Sequence, residues 1–132
     1  MSLESRVESR ECIFPALAIV VTLAAGLATR AFLGGWIAKY LGVALWATLV
    51  YFLILFIAPR VPVLRAFAIC VVISLVVEFA QLTPGPMALY ELHPFFALVF
   101  GTTFNAPDLP AYVVGAGLGA AVHALRTLNS RL

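Results

Sequence analysis

Four apolar runs dominate the chain: Cys12 to Ala28, Tyr40 to Ala58, Ala66 to Leu82 and Pro110 to Leu125. Each holds 16 to 19 residues, and only the third contains a charged one, Glu78. At a rise of about 1.5 Å per residue, and with flanking apolar residues added, each approaches the ~30 Å of a bilayer's hydrocarbon core. Lipid offers no hydrogen bonds to a bare backbone, and the runs lack the period-2 alternation of a barrel strand, so they must be helices. The composition agrees. Hydrophobic residues make up 64% of the chain and charged residues 11%, against roughly 45–50% and about 25% in a soluble domain. Such a surface cannot be wetted, which excludes soluble, disordered and nucleic-acid-binding classes. The expectation is an all-α, polytopic membrane protein: four transmembrane helices in one bundle domain over residues 1–132, with spans near 12–29, 40–58, 66–82 and 110–126.

The basic residues set the orientation. Four spans put Arg6, Arg10, Arg60, Arg65, Arg126 and Arg131 at one end and leave Arg30 and Lys39 at the other. By the positive-inside rule both termini are cytoplasmic, in the inner (cytoplasmic) membrane. A cleaved leader fits the first run poorly, because its apolar core exceeds the usual 7–15 residues or so and the Ala28-Thr29-Arg30-Ala31 junction is a poor cleavage site. Met1 to Glu11 reads as a mixed-charge tail, and Pro59 and Pro62 suit a tight turn between spans two and three. Trp36, Tyr40, Trp46 and Tyr51 are candidate interface anchors. The connection from Thr83 to Leu109 is long for a turn, and its apolar patch from Pro94 to Gly101 is too short to span. It is expected to lie in the interface or dip back between helices on the outer side.

Few residues can carry chemistry. Ser74, Glu78 and Gln81 stand at i, i+4 and i+7 on the third helix, one polar stripe on one face. Glu78 lies ~18 Å deeper than Ala66, toward the outer end, where an unpaired ionisable group costs at least about 2–3 kcal/mol. Arg30, at the outer end of the first helix, is the obvious partner. Asp108 or Asn105 can cap the fourth helix, where the positive end of the dipole favours a carboxylate. Arg30, Glu78, Gln81, Asn105 and Asp108 thus converge on one membrane face as a candidate binding site, with Glu78 the candidate catalytic group if the protein is an enzyme.

Other signals are weaker. Glu91 and His93 could join the cluster, yet no ligand spacing supports a metal, and none is expected; no other cofactor is expected either. His123 reads as satisfied locally, and Cys12 and Cys70 as buried small hydrophobes. Gly115-x-x-x-Gly119 lets another helix approach closely, which makes a homo-oligomer through Gly115 and Gly119 a candidate assembly. The bilayer is the expected partner, with a lipid headgroup or another membrane protein as candidates and nucleic acid excluded.

Glu78-x-x-Gln81-Leu82, followed by Asp108-Leu109-Pro110-Ala111-Tyr112-x-x-Gly115, resembles the small bacterial membrane proteins grouped as domain of unknown function 2809, themselves similar to VanZ-like proteins. Gly26-x-x-x-Arg30 and Tyr40-Leu41-Gly42-x-Ala44-Leu45-Trp46 also match, so the resemblance runs from about Gly26 to Gly119. Val43 stands where that family often carries Asp, and Tyr112 where VanZ-like chains carry Asn. The resemblance implies no established reaction and points toward cell-envelope or glycopeptide-resistance contexts. The expected function is an outward-facing polar pocket that binds a headgroup or partner. An envelope lipid-handling enzyme using Glu78 and Arg30, with Arg30 holding a phosphate, and a small transporter subunit are the alternatives.

Overall fold

The computed structural model describes residues 2–132 and contains six helices and, among those residues, no strand. Four are long and apolar enough to cross a membrane: α1 (Leu3–Phe32), α2 (Gly35–Ile57), α3 (Val63–Ala80) and α6 (Asp108–Arg131). Two short ones, α4 (Gly85–Leu92) and α5 (Phe95–Phe100), occupy the long connection.

The charged N-terminal stretch is not a loose tail. Ser2 accepts the Ser5 N–H at 3.3 Å, an N-cap that starts α1 at Leu3. Thirty helical residues extend ~45 Å, so the turns bearing Glu4, Arg6, Glu8, Arg10 and Glu11 overhang the hydrocarbon core. Pro15 sits buried inside α1, where its missing N–H leaves the Glu11 carbonyl without its helical donor. At the far end α1 stops at Leu33, and Gly35, at φ +65°, turns the chain into α2. Between α2 and α3 the chain reverses in five residues. The Val61 N–H donates to the Ala58 carbonyl, and Pro62 is the N-cap of α3.

Helix α2 is the centre of the bundle and packs against α1, α3 and α6; α3 also packs against α6. Buried Ala47, Tyr51, Phe52 and Leu55 of α2 meet Ala66 and Cys70 of α3 and Tyr112 and Ala116 of α6. Small residues let the backbones close up, which matters in lipid, where apolar side chains gain little by leaving the tails. A Cβ on Gly115 would fall within the backbone of Ala44, and one on Gly119 would lie 2.7 Å from the Tyr51 ring. The small-residue stripe is therefore consumed inside the monomer by α2, and this corrects the expectation of an oligomer built through Gly115 and Gly119. Thr48 Oγ1 lies 2.8 Å from the Gly115 carbonyl, and Cys70 Sγ lies 3.2 Å from that of Ala47, tying α2 to α6 and α3.

At the end that carries both termini, Arg60 pairs with Glu11 at 3.4 Å, and Arg126 lies over the Phe14 ring at 4.2 Å. Tyr51 is fully buried there, and its hydroxyl meets His123 Nδ1 at 2.8 Å. Tyr51 is accordingly a core residue and not an interface anchor, and His123 is satisfied by it. Trp36, in the first turn of α2 at the opposite end, is 72% exposed.

Candidate functional site

The last turn of α3 and its C-cap deliver Glu78 and Gln81, respectively, to the end of the bundle opposite the termini. Glu78 is fully buried. Its Oε1 accepts the Asn105 backbone N–H at 2.6 Å, and its Oε2 accepts the Tyr112 hydroxyl at 2.7 Å. Both donors are neutral, and no Lys, Arg or His lies within 4.0 Å of the carboxylate among the described residues. Trp46 of α2 packs edge-on against Tyr112, centroids 5.6 Å apart, and fixes the phenol that faces Glu78.

Asn105 works with two groups at once. While its backbone serves Glu78, its side-chain Nδ2 donates to Asp108 Oδ1 at 2.7 Å. Neither Asn105 nor Asp108 is the N-cap of α6; Pro107 holds that position without a side-chain hydrogen bond. Asp108 is the first helical residue and nearly buried, with the positive end of the helix dipole beside its carboxylate. Residues 105 to 109 approach it in tight turns, Asp108 N–H to Asn105 and Leu109 N–H to Ala106.

Gln81 holds a second point. Its Nε2 donates to the Phe100 carbonyl at 2.6 Å, while its Oε1 is buried with no partner in the protein. Gly101, at φ +64° and ψ −174°, crosses directly over this amide; a Cβ there would meet Gln81 Nε2 at 2.5 Å. Only glycine takes that backbone conformation without strain. Gly101→Ala should therefore lower stability by about 1–3 kcal/mol. The loss should be local: limited proteolysis should cut residues 95–107 faster while α1 to α3 stay protected, whereas an unchanged cleavage pattern would deny Gly101 this role.

The structure thus joins Glu78, Asn105 and Asp108 in one hydrogen-bonded chain, with Gln81 on an adjacent clamp. It leaves out Arg30, which is exposed at the end of α1 and forms no ion pair with Glu78. The reason is packing: α1 lies mainly on α2, and the donors that reach Glu78 come from α6 and its lead-in. Glu91 and His93 also stay outside. His93 Nδ1 instead accepts the Phe95 N–H at 3.0 Å in the turn between α4 and α5. Ser74, on the same face of α3 as Glu78, donates back to Cys70 of its own helix. Sequence reasoning missed Tyr112 as a site residue, although its i+4 spacing from Asp108 puts both on one face of α6.

Residues 32–116 match the model of a family described as protein of unknown function (DUF2809). That stretch, well over half of the chain, contains Glu78, Gln81, Asn105, Asp108 and Tyr112 and excludes Arg30. No curated protein and no solved structure matches the chain.

Proposed function

The chain belongs to the DUF2809 family of proteins of unknown function, and from that premise we propose that it is a multi-pass protein of the inner (cytoplasmic) membrane, both termini cytoplasmic, whose outer-end polar centre receives a cationic, hydrogen-bond-donating group. The amine of a zwitterionic lipid headgroup and the side chain of a membrane partner are the two sources of that chemistry. The observation that carries the reading is the buried Glu78 carboxylate, which is held by two neutral donors and has no basic partner. A carboxylate taken out of water without a countercharge is strongly destabilised. An ammonium group would relieve that cost where an anion would add to it, and Asp108, one residue's reach away through Asn105, adds acceptor capacity. The orientation is supported by six of the eight basic residues gathering at the termini end, bridged there by Arg60 and Glu11.

The envelope-enzyme alternative gains no support from the arrangement, because both Glu78 oxygens are taken up by neutral donors and Arg30 forms no ion pair with them. The segment from Gly101 to Pro107 covers the centre, so a ligand amine would take the place of the Asn105 N–H as that segment lifts. Native mass spectrometry from nanodiscs containing phosphatidylethanolamine or phosphatidylglycerol tests this. The wild type should retain phosphatidylethanolamine at least several-fold more than phosphatidylglycerol, and Glu78→Gln and Asp108→Asn should each erase the preference. Equal retention of the two lipids, with no amine-bearing membrane protein recovered by crosslinking at position 105, would sink the reading.

A further inference from the structure

Helices α4 and α5 pack on each other, and they are tied to the spans through the Gln81 clamp on Phe100. Eight and six residues long, they rise only ~12 Å and ~9 Å and cannot span. Their apolar side chains are left bare: Met87, Tyr90, Leu92, Phe95 and Leu98 are all exposed, Leu92 by 77% and Phe95 by 56%. A bare apolar surface of this kind is not kept in water. At the adjoining end of α3, exposed Phe79 stacks on Phe104 at 5.9 Å just beyond α5, so apolar side chains are bare on both sides of the Gln81 clamp.

We infer that α4 and α5 form an in-plane hairpin seated in the bilayer leaflet at this end, with the boundary between acyl chains and headgroups as its partner. Two observations choose this over a hairpin that dips toward the midplane. Glu91 and His93 flank the turn and are exposed, so a dipping hairpin would carry both into hydrocarbon at its tip. Tyr90, half-exposed beside them, is the residue type that settles at headgroup level. The charge pattern defines the partner further. No Lys or Arg occurs between Arg65 and Arg126, so the hairpin has no means of seeking acidic headgroups, and its hold on the leaflet is apolar. This inference stands independently of what Glu78 binds.

Nitroxide labels on single cysteines in a Cys12→Ala, Cys70→Ala background, reconstituted in phosphatidylcholine bilayers, test it by oxygen and nickel accessibility. Labels at Val72, exposed in mid-span, and at Ser130 supply the deep and aqueous references. Labels at Phe95 and Leu98 should report roughly 5–10 Å below the headgroups, and labels at Glu91 and His93 shallower than that. Adding acidic lipid or raising the salt should move none of them. Aqueous values at Phe95 and Leu98 would overturn the inference, as would depths at positions 92–95 matching Val72. Spin–spin broadening that disappears on dilution with unlabelled protein would assign the surface to a second copy and would overturn it equally.

Discussion

Gly115→Ala should be the most damaging single methyl group in this molecule. The new Cβ would enter the backbone of Ala44, and neither helix can answer by turning a side chain, so α2 and α6 must separate. Separation stretches the bond from Thr48 to the Gly115 carbonyl and loosens Trp46 from Tyr112. Overpacking costs about 1–3 kcal/mol when side chains can adjust; with backbone on both sides the loss should reach or exceed the upper end. Gly117 is the control, because a Cβ there meets nothing within 4 Å. Gly117→Ala should be neutral or stabilising by up to ~1 kcal/mol through helix propensity. Thermal unfolding of both variants in one detergent checks the pair. If the two fall together, glycine content and not the α2–α6 contact sets stability.

The contrast also marks what could be read from sequence. The runs fix the four spans because lipid leaves a bare backbone no alternative to a helix, and Gly115-x-x-x-Gly119 announces a close approach without saying to which helix. That identity depends on how the bundle closes. The same limit explains the site. Charge scarcity singles out Glu78 and Asp108, and helical spacing joins Gln81 to Glu78. Opposite charge at one end then suggests Arg30 as the partner, but α1 packs on α2 and the donors arrive from α6 and a backbone N–H. A backbone donor has no signature in a side-chain sequence. Nor does the lone carbonyl of Phe100 that Gln81 holds. Tyr112 was legible in part, since it stands i+4 from Asp108 on one face of α6.

Glu78 should be separable from Arg30 by substitution. Glu78→Ala leaves the Tyr112 hydroxyl and the Asn105 N–H without acceptors in a buried site, and each stranded donor costs about 1–3 kcal/mol. The expected loss is therefore ~2–6 kcal/mol, with the segment from Gly101 to Pro107 released first. Glu78→Gln should be far milder, within about 1 kcal/mol of the wild type in either direction, because its carbonyl still accepts one donor, the Tyr112 oxygen can accept from the new amide, and the uncompensated buried charge is gone. Tyr112→Phe in the Glu78→Ala background should cost less than in the wild type, giving a coupling of about 1–3 kcal/mol for a bond to a charged acceptor. Arg30→Gln should show no such dependence: its effect should be small and should add to that of Glu78→Gln within ~0.5 kcal/mol. Unfolding midpoints of the single and double variants, read alongside amide exchange at Asn105, decide between the two partners. A rescue of Glu78→Gln by Arg30→Gln would restore the ion pair suggested by charge alone and remove the basis for a centre that seeks a cation. Additivity with Arg30 and coupling with Tyr112 would instead leave the carboxylate held by neutral donors, which is the condition an incoming ammonium group requires.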